Sequence, residues 1–192
     1  PSKPDAAPLS AKSIKNIHGV LHKALKQAVL IGYLRTNPSE ACILPRIVRK
    51  EMHPLEEDQV AVFLREVQEH PHEYLYKIAL FTGLREGEVL GLGWEHIDFQ
   101  TGTLTVKRQL RREQKKGGRY YFSPPKNNKS RCLTLASSVI QLFRLQKLEQ
   151  NSMRMEAGDA WEEHGLIFTN QTGGYLSYRT VYDCFKRIVR NI

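Results

Sequence analysis

Two short stretches hold the residues with the clearest chemical potential. The first runs Thr82-Gly83-Leu84-Arg85-Glu86-Gly87-Glu88-Val89-Leu90-Gly91-Leu92-Gly93, with Trp94 behind it. An apolar helical run (Ile78-Ala79-Leu80-Phe81) stops at Gly83, an arginine follows, and a new apolar helix begins. That order puts one permanent positive charge on a tight turn at the mouth of a buried helix pair. A guanidinium keeps its proton and offers parallel N–H donors, so it suits gripping a phosphate through two hydrogen bonds. The second stretch is Pro125-Lys126-Asn127-Asn128-Lys129-Ser130-Arg131, a basic turn leading into Leu133-Thr134-Leu135. A lysine on such a turn can hand a proton to a departing alkoxide. A phosphodiester gathers charge in its transition state, and fixed cations aimed at that charge lower the barrier.

These residues need elements to hold them. Ser10 is placed to cap a helix running to about Tyr33, with Ile14, Ile17, Leu21, Leu25, Ala28 and Val29 on one face. Its other face carries Lys12, Lys15, His18, His22, Lys23 and Lys26, and Asn37-Pro38 ends the region. One such helix cannot bury its own stripe, so it is expected to belong to a bundle. Residues 1–8 are Pro/Ala-rich and predicted to be disordered. Residues 43–54 break the pattern and read as a basic extended linker. Glu56-Glu57-Asp58 opens a helix with acids in its first turn, as the dipole favours. A second helix is predicted from about Pro71 to Phe81, and a third from Arg85 to just before Gly93.

After Asp98 the period changes to two. Leu104 and Val106, then Arg119 to Phe122 beyond a Gly117-Gly118 turn, then Arg131 to Leu135 predict a three-stranded antiparallel sheet with basic hairpins. Ala136 to about Ala157 reads as a helix, and Leu166-Ile167-Phe168 as a short strand. Ser177 is expected to cap a last helix that continues to Ile192. The fold class is mainly α with a small antiparallel β-sheet (α+β). The divisions are 1–45 for a helical unit, 46–54 for the linker and 55–192 for the second domain.

Charge is uneven along the 192 residues. The net value is +9. Residues 1–54 carry nine Lys/Arg against three Asp/Glu, residues 55–100 three against ten, and residues 101–135 ten against one. Two basic blocks around an acidic one point to a polyanionic partner, with DNA or RNA foremost. No helix pairs a strongly apolar face with a purely basic one, so a membrane surface is not expected. Cys42, Cys132 and Cys184 are widely spaced and form no CxxC, which argues against a disulfide scaffold or zinc ribbon. No signal peptide or long apolar run is present, and the expected location is the bacterial cytoplasm, at the nucleoid.

The order of these motifs resembles the tyrosine recombinases, the phage-integrase superfamily, and is most similar to the integrases of phages and conjugative transposons. Leu80 to Leu92, with Trp94 and Ile97-Asp98, is similar to the family's first catalytic box. Pro125 to Arg131, leading into Leu133-Thr134-Leu135, is similar to its lysine-bearing hairpin. Ser13 to Pro38 is similar to the last helices of its core-binding domain. The resemblance implies a partial catalytic-domain fold preceded by the end of that helical domain. It implies DNA strand transfer through a covalent 3′-phosphotyrosyl intermediate, with no metal and no other cofactor. In the role it implies, Arg85 clamps the scissile phosphate, Lys126 protonates the leaving 5′ oxygen, and Glu88 supports the arginine's helix. Double-stranded DNA is the implied partner, gripped by a two-domain clamp, with a homo-tetramer on DNA in the full-length protein.

The family also needs a His-x-x-Arg motif and a later nucleophilic tyrosine, and neither is found in this sequence. Tyr175, Tyr178 and Tyr182 lie too early to be that nucleophile and are expected to be packing or surface groups. The expectation is therefore a fragment, by design, proteolysis or gene truncation, that binds DNA without cleaving it. A non-catalytic DNA-binding regulator or accessory protein with a degenerate integrase fold is the alternative, and an RNA-binding α+β protein is a second.

Plainer roles stand beside these. Arg85 could simply pair with Glu88, and Lys126 is one of several lysines in a solvated hairpin. Lys129 and Arg131 suit non-specific backbone-phosphate contacts or free surface charge. Lys12 and Lys15 suit phosphate grip or a solvated face equally. His18 and His22 are spaced as helical zinc ligands can be, but no third ligand is near, so a polar face is expected. Trp94 and Trp161 are expected in the core.

Overall fold

The computed structural model describes residues 8–48, 51, 54–115, 117–126 and 128–192. The Pro/Ala-rich start lies, through residue 7, outside the described residues, as do 49, 50, 52 and 53 of the linker. Backbone contacts divide the chain into two compact units, Pro1–Pro54 and Leu55–Ile192.

The first unit is built on helix α1 (Ala11–Leu30), opened by Ser10, whose Oγ accepts from Ser13 N at 3.1 Å. The helix ends at Leu30, short of Tyr33. Gly32 adopts φ +81°, its N–H donates to Val29 O at 3.1 Å, and Tyr33 N–H reaches back to Ala28 O at 2.8 Å. That left-handed glycine closure satisfies the last carbonyls and stops the helix. No residue of α1 is buried, and Ile17, Val20 and Leu21 are exposed. His18 and His22 have a structural task instead. His18 Nε2 bonds Ser39 O at 3.0 Å and His22 Nδ1 bonds Ser39 Oγ at 2.9 Å. Asn37 Nδ2 donates to His22 O at 3.1 Å. The pair thus holds the Asn37-Pro38-Ser39 turn against its own helix. Among the described residues no group of His, Cys, Asp and Glu is arranged to hold a metal.

The second unit follows in chain order as α2 (Glu57–Glu66), α3 (Glu73–Thr82), α4 (Glu86–Leu90), β1 (Ile97–Asp98), β2 (Thr103–Val106), β3 (Gln109–Arg112), β4 (Tyr120–Ser123), β5 (Arg131–Thr134), α5 (Ser137–Ala157) and α6 (Tyr178–Val189). Its core gathers Phe63, Ile78, Leu90, Leu104, Leu110, Phe143, Ile167 and Val181 from these elements.

The β-structure differs from the expected single sheet. β1, β2 and β5 form one antiparallel sheet in that order, with Leu104 opposite Leu133 and Val106 opposite Arg131. The Tyr120–Ser123 strand is not part of it. It pairs with β3 as a separate two-stranded ribbon, Leu110 opposite Phe122. Arg108 stands at the break, between β2 and β3. Its Nε donates to Gly91 O at 2.9 Å, and its guanidinium lies 4.1 Å over the Phe122 ring. β3 lies against α4.

Residues 166–168 are not a strand; Leu166 forms an isolated bridge with Gly93, outside the named strands. Side-chain amides replace the ladder. Gln150 Nε2 donates to Leu166 O at 2.8 Å and to Ile167 O at 3.1 Å, and Gln146 Nε2 reaches Ile167 O at 3.2 Å. Helix α6 ends at Val189 rather than continuing to Ile192, and Ser177 stands at its start without a side-chain capping bond. Trp94 is half-buried beside Phe99, with Nε1 donating to Gln150 Oε1 at 2.8 Å; Trp161 is half-buried too.

Gly91 sits where α4 meets β3. A Cβ there would come 2.7 Å from Leu110 N and 3.0 Å from Gln109 C and Gly87 O. All three are backbone atoms, so nothing can swing aside. Gly91→Ala is expected to destabilise the second unit by about 1–3 kcal/mol through overpacking. Urea unfolding of the two proteins would test it; an unchanged midpoint would contradict so tight a crossing.

Candidate functional site

Helix α3 ends because Gly83 takes φ +62° and donates to Ala79 O at 3.0 Å. Leu84 dives into the core, and Arg85 stands in extended geometry at the start of α4. The short loop therefore exposes the guanidinium while its neighbours anchor it. The Arg85 side chain is 63% exposed and that of Glu88 only 1%.

Glu88 is the hub. Its Oε2 accepts from Arg85 N at 2.9 Å, closing the first turn of α4. Its Oε1 accepts from Arg85 Nη1 at 3.1 Å. Arg131, at the start of β5, grips the same carboxylate with both ends of its fork, Nη1 to Oε1 at 2.8 Å and Nη2 to Oε2 at 2.7 Å. A carboxylate has about four acceptor positions, and these four bonds occupy them. The Arg131 fork above all, with help from Arg85, holds the Glu88 carboxyl down to about 2 against an ordinary 4.5, overriding the opposite pull of burial. The carboxylate in turn raises the pKa of Arg131.

Lys126 lies on the turn that Asn128 N closes on Pro125 O at 2.8 Å, with Asn128 at φ +53°. Lys126 and Lys129 are exposed. One groove of about 540 Å³ is lined by Gly83, Arg85, Pro125, Lys126, Lys129, Ser130 and Arg131. The structure thus brings Arg85, Lys126, Lys129 and Arg131 to one cavity, with Glu88 supporting it from the core. Lys12, exposed, and Lys15, half-buried, belong to the first unit, on α1. Four of the seven lining residues are arginine or lysine and none is acidic, which suits an anion.

The Arg131–Glu88 fork is absent from the sequence reading. The two residues are 43 positions apart, and no spacing rule links them. One signal was present: an acid on the third residue of a helix whose next residues, Val89 and Leu90, are apolar requires a cationic partner once buried. Tyr178 donates to Leu110 O, Tyr175 stacks on His164 at 4.5 Å and on Tyr120 at 5.1 Å, and Tyr182 is exposed beneath Lys186. All three serve as packing or surface groups. Among the described residues no helix is long and apolar enough to cross a membrane.

Known proteins share this fold. The profile described as the phage integrase family matches residues 53–192. The tyrosine recombinase XerC-like protein of Caldanaerobacter subterraneus is 27% identical over 94% of this chain and 50% of its own length. The ICEBs1 integrase of Bacillus subtilis is 27% identical over 83% of this chain and 44% of its own. The chain therefore spans about half the length of the curated relatives it matches. Among solved structures, the Tn1549 transposon integrase in complex with a circular intermediate DNA superposes with a TM-score of 0.77 at 25% identity, over 95% of this chain and 59% of that one. A lambda integrase dimer bound to a core site shares the fold, with a TM-score of 0.60 at 21% identity over 94% of this chain and 45% of that one. The profile covers the whole second unit, loop, hub and groove included, and on that ground the chain belongs to the phage integrase family, the tyrosine recombinases.

Proposed function

We propose that this chain takes part in site-specific DNA recombination and contributes the arginine–lysine part of the strand-transfer site. The groove shared by Arg85 and Lys126 is the single observation that carries this reading. Arg85 holds non-bridging oxygens of the scissile phosphate, and Lys126 delivers a proton to the departing 5′ oxygen. Lys129 lies along the flanking backbone. Lys12 and Lys15 hold phosphates elsewhere on the duplex. Lys12 stands in the first turn of α1, where the helix dipole disfavours a cation, and a bound phosphate would relieve that conflict. No His-x-x-Arg pair occurs in this sequence, and the attacking tyrosine is assigned to none of the residues described above. The family resemblance extends the proposal to a homo-tetramer on two duplexes.

Two outcomes are expected of the 192-residue polypeptide on its own. It binds duplex DNA, and affinity falls roughly 100-fold between about 50 and 200 mM salt if about four phosphates are held. It forms no covalent product with a nicked attachment-site duplex. Anisotropy titrations and denaturing gels give both answers. Flat affinity across that salt range would refute the phosphate grip, and a covalent band would show that one of its own tyrosines is the nucleophile.

A further inference from the structure

We infer that Arg131 is a positioning residue that keeps Arg85 available for phosphate by neutralising Glu88 in its place. The inference rests on the proposed phosphate role of Arg85 and explains how that role survives next to a buried acid. Glu88 lies beside two guanidiniums, and one carboxylate can fully satisfy only one of them. The geometry shows which one it takes. Arg131 uses both ends of its fork, at 2.7 and 2.8 Å, whereas the Arg85 side chain gives a single N–H at 3.1 Å. The exposures agree, at 36% for the Arg131 side chain and 63% for that of Arg85. A planar fork matched to a carboxylate is the strongest of these pairings.

Without Arg131, Glu88 would be a buried anion with one cation in reach. Arg85 would turn inward to form the fork itself, and the groove would lose its phosphate ligand. Arg131 also begins β5, directly after the loop that carries Lys126, Lys129 and Ser130. The same fork therefore ties the end of that loop to the start of α4.

The test compares salt slopes of duplex binding for the 192-residue chain and three variants. The steepness of the fall of log K with log salt drops by about 0.9 for each lost phosphate contact. R85A is expected to lose one such contact and on the order of tenfold in affinity. R131M is expected to match R85A, because it withdraws Arg85. The double variant E88Q/R131M is decisive. With no buried anion left to attract it, Arg85 stays in the groove, and slope and affinity return to the unsubstituted values. If the double variant instead remains about 0.9 below, Arg131 holds a phosphate itself and the inference is overturned. Should R85A leave slope and affinity unchanged, the phosphate role of Arg85 fails, which is a different result. Melting curves accompany each protein. R131M strands a buried charge and can unfold, but the double variant removes that charge and carries the decision alone.

Discussion

Replacing Glu88 by alanine is expected to destabilise the second unit by about 3 kcal/mol, the upper end for hydrogen bonds to charged groups, since the guanidiniums left behind reach solvent. The change removes an acceptor for four hydrogen bonds, two of them the Arg131 fork. Both guanidiniums then face each other with no anion between them. The acid limb of stability gives a second measurement. The Glu88 carboxyl is held at about 2 when folded, against 4.5 ordinarily. A depressed carboxylate contributes stability that is complete above its unfolded pKa and lost as pH falls through its folded pKa. Here the window runs from above 4.5 down to 2, and the whole contribution is about 3 kcal/mol. About 2 kcal/mol of it is gone by pH 3. Glu88→Gln cannot titrate, so its stability should fall less steeply than that of the unsubstituted protein across this window. Urea unfolding at pH 6 and pH 3 reads both effects; parallel losses in the two proteins would mean that Glu88 is not the hub described.

Gln150→Leu is expected to cost about 2–4 kcal/mol although leucine fits the volume, because buried polar groups lose their partners. Trp94 Nε1–H and Leu166 O would have no replacement, while Ile167 O would keep Gln146. The loss is local in character. Residues 165–168 remain attached through Trp94 N to Gly165 O at 3.1 Å and Ile167 N to Leu92 O at 3.0 Å. Amide exchange at these two N–H groups should therefore speed up more than exchange in α3. Equal acceleration in both places, or a change below about 1 kcal/mol, would show that the amide does not stand in for a ladder.

The fold was partly legible because some signals are local. Helices α1 and α5 follow from apolar residues at helical spacing, and the α3 stop at Gly83 follows from a glycine placed where φ must be positive. Helix α1 ends at Leu30, three residues before Tyr33, because Gly32 just beyond it turns left-handed. The sequence marks Arg119 to Phe122 as extended, and the structure has Tyr120–Ser123 extended but beside a different neighbour. Alternation marks a strand and is silent on its partner, which here is β3. The segment 166–168 reads as a strand because apolar runs of that length suit one, yet two glutamines of α5 took the role of the neighbouring strand.

Residue types and order alone determined the chemistry on offer: one guanidinium presented by a glycine stop, one ammonium on a proline-led turn, and an acid three residues past the arginine. Those features depend on the nearest few residues, so a sequence states them directly. Only the tertiary structure decided which cation Glu88 keeps. That choice joins residues 43 positions apart across α4 and β5, and it depends on the angle at which two packed elements aim their side chains, which no local spacing encodes.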